Sequence, residues 1–195
     1  MRNRFTIQPW VYFLLGIFIF SACRQPEPEQ PDPIRRKSPI AIAKTMHDAS
    51  DTYVKIVYGQ PYKRERDIFG NVVPFDEVWR TGANEATELT TTNNIIFGGQ
   101  ELEAGTYTLF SIPRKNENWT IILNSELGQW GAFDYSKSKD VLRIEAPSMN
   151  KEAVTEAFTI QFSEIENDST NIIMRWDQQV IRIPVEFIST PNISS

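Results

Sequence analysis

The sequence has very little cysteine and histidine: Cys23 is its one thiol and His47 its one imidazole. A single cysteine excludes an internal disulfide and a cysteine-rich zinc site, and a single histidine excludes any site built on two imidazoles. No acidic loop has the regular ligand spacing of a calcium site. We therefore expect no metal and no cofactor. A serine–histidine–aspartate catalytic site would have to use His47, which we expect instead to be a solvent-exposed loop residue.

Positive charge is also scarce. The chain has 20 lysines and arginines against 25 acids, which gives a formal net charge of −5. Residues 1–22 hold Arg2 and Arg4 and no acid, so their removal takes away two positive charges and leaves −7. No basic stripe with interleaved aromatic side chains is present, and we expect no nucleic-acid partner. A chain of 195 residues suits one domain with an appendage.

No apolar run has the length of a typical membrane-spanning helix. The longest, residues 10–20, follows two arginines, and this order is typical of an export signal. Small residues precede Cys23, so the segment resembles a bacterial lipobox, which implies cleavage before Cys23 and acylation of its thiol. An ordinary secretory signal with a coincidental cysteine is the alternative. We assign residues 1–22 to a lipoprotein signal peptide and predict a membrane-anchored protein of the cell envelope.

Residues 23–37 are expected to form a tether. Four prolines alternate with acids there and apolar side chains are nearly absent, so the segment cannot pack as a folded unit. Its acids, close after Cys23, resemble the signals that send some bacterial lipoproteins to the cell surface. We predict an outer-membrane lipoprotein, with exposure at the cell surface left open. The folded domain is expected at residues 38–188, followed by a tail at residues 189–195.

The folded domain has no amphipathic helix longer than two turns, and apolar residues alternate with polar ones instead. The clearest alternation covers residues 181–187, where Pro184 on the outward face suggests an edge strand. Residues 98–99, both glycine, predict a hairpin turn, residues 177–179 a turn between two strands, and residues 40–46 a brief helix. Eight or nine short antiparallel strands predict an all-β fold, a β-sandwich or a jelly-roll.

Residues 78–89 combine a tryptophan, an arginine, a glycine turn, an asparagine and two carboxylates. These side chains suit a recognition site, and they equally suit a tight turn that satisfies its own hydrogen bonds. If a strand begins at Asn84, period two places Glu85 on the same side as Leu89, facing the core. A carboxylate there must be paired, hydrogen-bonded or protonated. The candidate partners are Arg64, Arg66, Arg80 and Arg143.

A second candidate segment, residues 129–135, places Trp130, Phe133 and Tyr135 around a glycine and next to acids. Glycine gives the backbone the freedom to present a large ring at a loop tip. Such rings could stack on a sugar or another planar ligand. Alternatively, they could form a hydrophobic plug beneath a long loop.

The two segments together suggest a catalytic alternative. If Trp79 and Trp130 approach each other with Glu85 and either Asp134 or Asp140 between them, the cleft would suit a glycosidase. The outcome of such a reaction depends on the separation of the two carboxylates.

Several motifs are shared with a known family. They are Ile68-Phe69-Gly70, Trp79-Arg80-Thr81-Gly82-Ala83-Asn84-Glu85-Ala86-Thr87, Ala104-Gly105-Thr106-Tyr107, Trp130-Gly131-Ala132 and Asp140-Val141-Leu142-Arg143. On these motifs, residues 38–187 resemble the family catalogued as domain of unknown function 2911, and the run at residues 79–87 is specific to it. Gln60 stands where arginine is common in the family. The resemblance implies an exported, β-rich protein and transfers no activity.

The sequence leaves three hypotheses open. The first is a lipid-anchored binding module for a polar ligand such as a glycan. The second is a structural or assembly lipoprotein whose polar motif only stabilises the fold, and the third is a hydrolase that uses Glu85 with another carboxylate. Whether the protein is an enzyme stays open. The candidate ligand-binding residues are Arg66, Trp79, Arg80, Asn84, Glu85, Trp130, Asp134, Tyr135 and Asp140, with Cys23 as the site of lipid attachment.

Overall fold

The structure, a computed structural model, describes residues 37–188. The predicted signal peptide, Cys23, all but the last residue of the predicted tether and the C-terminal tail lie outside the described residues. Within residues 37–188, none of the helices has the length and apolar character needed to cross a membrane.

The described part of the chain contains ten strands and two short 3-10 turns. The strands are β1 (Ile40–His47), β2 (Thr52–Gly59), β3 (Thr87–Thr91), β4 (Ile95–Phe97), β5 (Gln100–Leu102), β6 (Gly105–Ile112), β7 (Trp119–Asn124), β8 (Asp140–Ala146), β9 (Ser148–Phe162) and β10 (Ser169–Phe187). The 3-10 turns cover Asp48–Ser50 and Lys137–Lys139.

The strands form two antiparallel sheets. One has six strands in the order β1-β2-β3-β6-β7-β8, and the other has four in the order β5-β4-β10-β9. The predicted all-β, sandwich-like fold is confirmed, with ten strands where eight or nine were expected. The predicted hairpin is also present, because Gly98 and Gly99 both have positive φ and join β4 to β5.

The core lies between the two sheets and draws apolar side chains from both. Leu89 and Ile121 of the six-stranded sheet are fully buried, as are Phe97 and Ile183 of the four-stranded sheet. The sheets are also joined by a hydrogen bond, since the Ile160 amide donates to the Tyr58 hydroxyl oxygen at 3.0 Å. Each Å² of apolar surface that is buried stabilises the fold by about 25 cal/mol, so this shared core is the main source of stability.

The expected helix at residues 40–46 is wrong, because this segment is β1. Every residue of β1 pairs with a residue of β2, from Ile40 opposite Gly59 to His47 opposite Thr52. The segment has weak preferences of its own, and pairing with β2 along its full length gives its backbone the regular hydrogen bonds of an antiparallel ladder. Tertiary pairing therefore decides its conformation.

Strand β10 is longer than expected because residues 177–179 do not form a turn. The register with β9 shifts on both sides of Asp177, whose φ is 52°, and the strand continues past it. A β-bulge of this kind bends a strand without reversing it. Two predicted strands are thus one continuous strand of 19 residues.

Pro184 does not mark an edge strand, because β10 lies between β4 and β9. Pairing with β9 ends at Ile181 and pairing with β4 begins at Val185, so Pro184 lies between the two ladders. A residue there needs no amide donor, while its carbonyl still accepts from the Gly98 amide at 2.8 Å. The proline is accommodated by this change of partner.

Candidate ligand-binding site

Trp79 is a core residue. Its backbone exchanges two hydrogen bonds with Ser111 of β6, at 2.7 and 2.9 Å, and this pairing directs the indole between the sheets. The ring stacks on Trp176 at 5.9 Å and meets the edges of Phe69 and Phe158. Its Nε1 donates to the Gly82 carbonyl at 3.2 Å, and 8% of the residue is exposed. The tryptophan therefore holds the following turn against the core.

The turn after Trp79 is packed against the end of β2. The Thr87 hydroxyl donates to the Thr81 carbonyl at 2.7 Å, and the Ala83 amide donates to the Gly59 carbonyl at 3.1 Å. A Cβ on Gly59 would lie 1.9 Å from the Ala83 carbonyl oxygen, so glycine is required for this close approach. Most of the polar groups in the turn are thus used to build it.

Arg80 is the exception in this turn. The residue is half-buried, and its Nε atom is buried without a hydrogen-bond partner among residues 37–188. Burial lowers the pKa of the Arg80 guanidinium below its ordinary value, and no carboxylate counters the effect. A buried, uncompensated cation is costly, because the desolvation of a charge is repaid only by a paired anion or hydrogen bonds.

The expected inward orientation of Glu85 is wrong, because Glu85 is exposed. Strand β3 begins at Thr87, and the positive φ angles of Thr81 and Asn84 break the two-residue alternation before it. Leu89 does face the core, as predicted, and Thr87 is buried on the same side of the strand. Glu85 instead lines a small groove of about 230 Å³ that also includes Glu88.

The two predicted segments lie side by side in the structure. The Ala86 amide donates to the Gln129 carbonyl and the Gly131 amide donates to the Asn84 carbonyl, both at 2.9 Å, and Glu85 pairs with Trp130 in an isolated bridge. The second segment covers the outer face of the six-stranded sheet, where Phe110 meets the ring of Tyr135 at 5.2 Å. Tyr135 thus packs on the sheet as the hydrophobic-plug hypothesis predicts, and stacking of the other rings on a ligand stays a prediction.

The exposed rings of this segment are Trp130, of which 58% is exposed, and Phe133, of which 84% is exposed. Asp134 next to them is exposed as well. Trp79 is buried in the core, so the two tryptophans do not face each other across a cleft.

Asp140 belongs to a closed hydrogen-bond network. Its Oδ2 accepts from the Tyr135 hydroxyl at 2.8 Å and from Arg143 Nη1 at 2.6 Å, and its Oδ1 accepts from Asn124 Nδ2 at 2.9 Å. Its side chain is 7% exposed. Burial, together with the hydrogen bond to Asp140, raises the pKa of Tyr135. Both carboxylate oxygens are thus engaged inside the protein, and Arg143 pairs with Asp140 rather than with Glu85.

A cavity of about 490 Å³ opens beside the turn that contains Arg80. It is lined by Lys37, Ser38, Pro61, Tyr62, Arg64, Arg66, Val72, Val73, Trp79, Arg80, Gly82, Ala83, Asn84 and Trp176. Four of these residues are cationic and none carries a carboxylate. We call it the Arg80 cavity, and its volume is that of a site for a small molecule.

Four of the candidate residues line this cavity, namely Arg66, Trp79, Arg80 and Asn84. The other five, Glu85, Trp130, Asp134, Tyr135 and Asp140, are not part of its lining. Sequence reasoning did not identify Lys37 or Tyr62, and it gave Arg64 only as a candidate partner of Glu85. The cluster of basic residues between Pro61 and Ile68 was the signal available in the sequence. In the structure, Arg64 and Glu65 have positive φ, and the segment turns over the cavity.

Residues 38–185 match a family model described as a protein of unknown function, DUF2911. The chain belongs to this family. No curated protein and no solved structure matches it. In this DUF2911 member, the turn after Trp79 also forms one wall of the Arg80 cavity.

A larger cavity of about 640 Å³ has a different character. Its lining includes Asp67 and Asp177 as well as Arg114 and Lys115, so opposite charges are balanced within it. Asp177 already accepts a hydrogen bond from Lys63 at 3.2 Å. The described residues of this cavity therefore carry no excess charge for a ligand to compensate.

The expectation that His47 is a solvent-exposed loop residue is wrong. It ends β1, is 6% exposed and stacks on Phe187 at 4.5 Å. Its Nδ1 lies 2.7 Å from the Ser50 hydroxyl and its Nε2 lies 3.0 Å from Asp168 Oδ1. Ser50 is itself buried and shares its hydroxyl with Thr52 at 2.7 Å. The serine is thus held in a buried network rather than presented to a substrate.

Metal-ligating side chains are not grouped in the described part of the chain. Among residues 37–188, no group of three or more histidine, cysteine, aspartate or glutamate side chains could hold a metal ion.

Proposed function

We propose that this DUF2911 member is an envelope-anchored lipoprotein whose β-sandwich domain binds a small polar ligand, such as a glycan, in the Arg80 cavity. The observation that carries the proposal is the partly buried guanidinium of Arg80, which lines the cavity and has no hydrogen-bond or ion-pair partner within residues 37–188. A turn that served only the fold would be expected to pair this charge.

The other polar groups of the turn differ from Arg80, and this difference supports the binding proposal. Thr81, Gly82, Ala83 and Thr87 make the hydrogen bonds and close contacts that hold the turn in place. Their roles are complete without a ligand. Arg80 contributes to none of these side-chain contacts, so its cost to the folded state is explained best by an interaction with something outside the chain.

Binding is favoured over hydrolysis by the carboxylates. Asp140 is fully engaged by three donors, and no acid of the described part of the chain lines the Arg80 cavity. A glycosidase of the common type needs two carboxyl groups on either side of the scissile bond. The cavity instead offers cations, the amide of Asn84 and the ring of Tyr62, which suit recognition.

A thermal-shift screen tests the binding proposal. The full-length wild type and the full-length Arg80→Gln variant are each melted without ligand and with a panel of neutral and acidic sugars. A ligand at 100 times its Kd adds about 2.7 kcal/mol, which corresponds to a rise in Tm of about 5–10 °C for a domain of this size. We expect a saturable rise for the wild type and its loss in Arg80→Gln.

The matched control is Arg182→Gln, which removes an exposed arginine on β10 that does not line the Arg80 cavity. This variant should respond to ligand as the wild type does. A panel without any hit, or an equal response from Arg80→Gln, would contradict the binding proposal and favour a structural role for the turn.

The anchor is tested at Cys23. Cys23→Ser removes the thiol that acylation requires, so we expect the protein to move from the membrane fraction to the soluble fraction of cells that express it. Two acyl chains or more hold a protein on a membrane durably, whereas the serine variant has none. Continued association of Cys23→Ser with membranes would refute the lipoprotein assignment.

A further inference from the structure

We infer that the ligand of the Arg80 cavity is an anion, a small molecule that bears a carboxylate, sulfate or phosphate group. This inference rests on the proposed function and adds the chemical class of the ligand. It is carried by the side chains that the fold gathers around the cavity.

The charge of the cavity is opposite to that of the protein. The whole chain has 25 acids and 20 basic residues, yet residues 37–188 contribute four basic residues and no acid to the cavity lining. The four are Lys37, Arg64, Arg66 and Arg80. Like charges this close repel one another, and the arrangement is stabilised when a bound anion neutralises them.

Arg66 is held in position before any ligand arrives. Its Nε donates to the Lys63 carbonyl at 2.9 Å and its Nη2 donates to the Tyr62 carbonyl at 2.6 Å. Its Nη1 has no hydrogen-bond partner within residues 37–188. A guanidinium that is fixed by two backbone carbonyls loses little side-chain entropy when it binds an anion.

Arg64 contributes a charge that the fold does not use. Its backbone amide donates to Glu156 Oε1 at 2.8 Å, while its side chain makes no hydrogen bond or ion pair with the rest of residues 37–188. The positive φ of Arg64 directs the chain around the cavity, so the exposed side chain stays at its rim.

Arg80 supplies the strongest need for an anion. Its Nε is buried without a partner, and burial lowers the pKa of its guanidinium. Charge-assisted hydrogen bonds from arginine to carboxylate, sulfate or phosphate are short and strong, and they compensate a desolvated guanidinium. The apolar part of the lining, Pro61, Val73 and Trp176, leaves room for an uncharged body next to the charged group.

Matched probes test this inference on the full-length protein. Binding of glucose, glucuronate, glucose 6-sulfate and glucose 6-phosphate is measured by calorimetry, with inorganic sulfate and phosphate as separate arms. We expect at least one acidic sugar to bind at least tenfold more tightly than glucose, with an affinity that falls as salt is added. The arm that binds most tightly identifies the anionic group, and binding of an inorganic ion alone shows that the charge suffices.

Variants then locate the binding. Arg80→Gln and Arg64→Gln should each weaken the acidic sugar at least tenfold, whereas Arg182→Gln should bind as the wild type does. An equal loss in Arg182→Gln would mean that general attraction to the protein's cations, and not this cavity, explains the binding, and would overturn the inference.

The two proposals fail in distinguishable ways. If glucose binds as tightly as the acidic sugars and Arg80→Gln abolishes that binding, the cavity binds a neutral ligand and the anionic inference is wrong. If none of the probes binds, both proposals are contradicted.

The Tm of Arg80→Met is an independent test, because a binding role and a structural role of Arg80 predict opposite changes in it. The ligand-free variant loses a partly buried, unpaired charge and keeps an unbranched side chain, so its Tm should equal or exceed that of the wild type. Binding of the acidic sugar should be lost at the same time. A lower Tm for the ligand-free variant would show that Arg80 holds the fold, and would overturn the inference.

Discussion

Replacement of Trp79 with alanine is expected to lower the free energy of unfolding by about 3–5 kcal/mol, the range for large-to-small changes of buried aromatic residues. The indole stacks on Trp176, meets the edges of Phe69 and Phe158, and donates to the Gly82 carbonyl. The variant loses all of these contacts and leaves a void between the sheets. For a domain of this size the corresponding drop in Tm is about 6–20 °C.

Urea and thermal unfolding of the wild type and Trp79→Ala measure this effect. Trp130→Ala is the matched control, because it removes the same side chain from an exposed position and should change the stability by about 0.5 kcal/mol or less. Equal losses in the two variants would show that Trp79 does not hold the core. If Trp79→Ala is as stable as the wild type but no longer binds ligand, Trp79 instead serves ligand recognition.

The contrast between these two tryptophans shows where sequence reasoning reached its limit. In the sequence each of the two rings lies within three residues of a glycine and within four residues of a charged side chain. Trp79 is buried because its backbone pairs with Ser111, which lies 32 positions away in the chain. Nothing local to residues 78–89 specifies that partner. The sequence could therefore identify the segment but not the side of the sheet on which its ring lies.

The fold class was predictable because alternation and turn glycines are local signals. Residues 181–187 alternate as the buried face of β10 requires, and Gly98 and Gly99 supply the two positive φ angles of a hairpin. The failures occurred where a local rule meets an irregular backbone. Glu85 lies outside the alternation because Asn84 has a φ of 66°, and a polar run at Asp177 forms a bulge instead of a turn.

The cavity could be predicted only in part. Arg66 and Arg80 were recognisable as candidates because each belongs to a polar motif. Lys37 lies at the end of the predicted tether, and it reaches the cavity because β1 directs the preceding residues alongside the Pro61 segment. The common property of the described lining residues, four cations without an acid, arises from three separate parts of the chain. Such an assembly becomes visible only once the strands have been placed.

Asp140→Asn is expected to lower the free energy of unfolding by about 2–3 kcal/mol, because the variant loses hydrogen bonds to a charged carboxylate and the Arg143 partner of a half-buried ion pair. The aspartate side chain is 7% exposed and accepts hydrogen bonds from Asn124, Tyr135 and Arg143. Asparagine has nearly the same shape, but its amide nitrogen is a donor and must face at least one of these three donors. Arg143 would also keep its charge without a neighbouring carboxylate.

A second measurement separates this explanation from a general loss of packing. Burial and the hydrogen bond to Asp140 both raise the pKa of Tyr135, so in Asp140→Asn the pKa should fall toward its ordinary value, while burial keeps it from falling completely. Ultraviolet titration of the tyrosines follows this change. Asp134→Asn, at an exposed neighbouring position, should alter neither the stability nor the titration. If Asp140→Asn keeps the stability of the wild type, the network is not needed to hold the covering segment on the sheet, and Asp140 returns as a candidate for ligand binding.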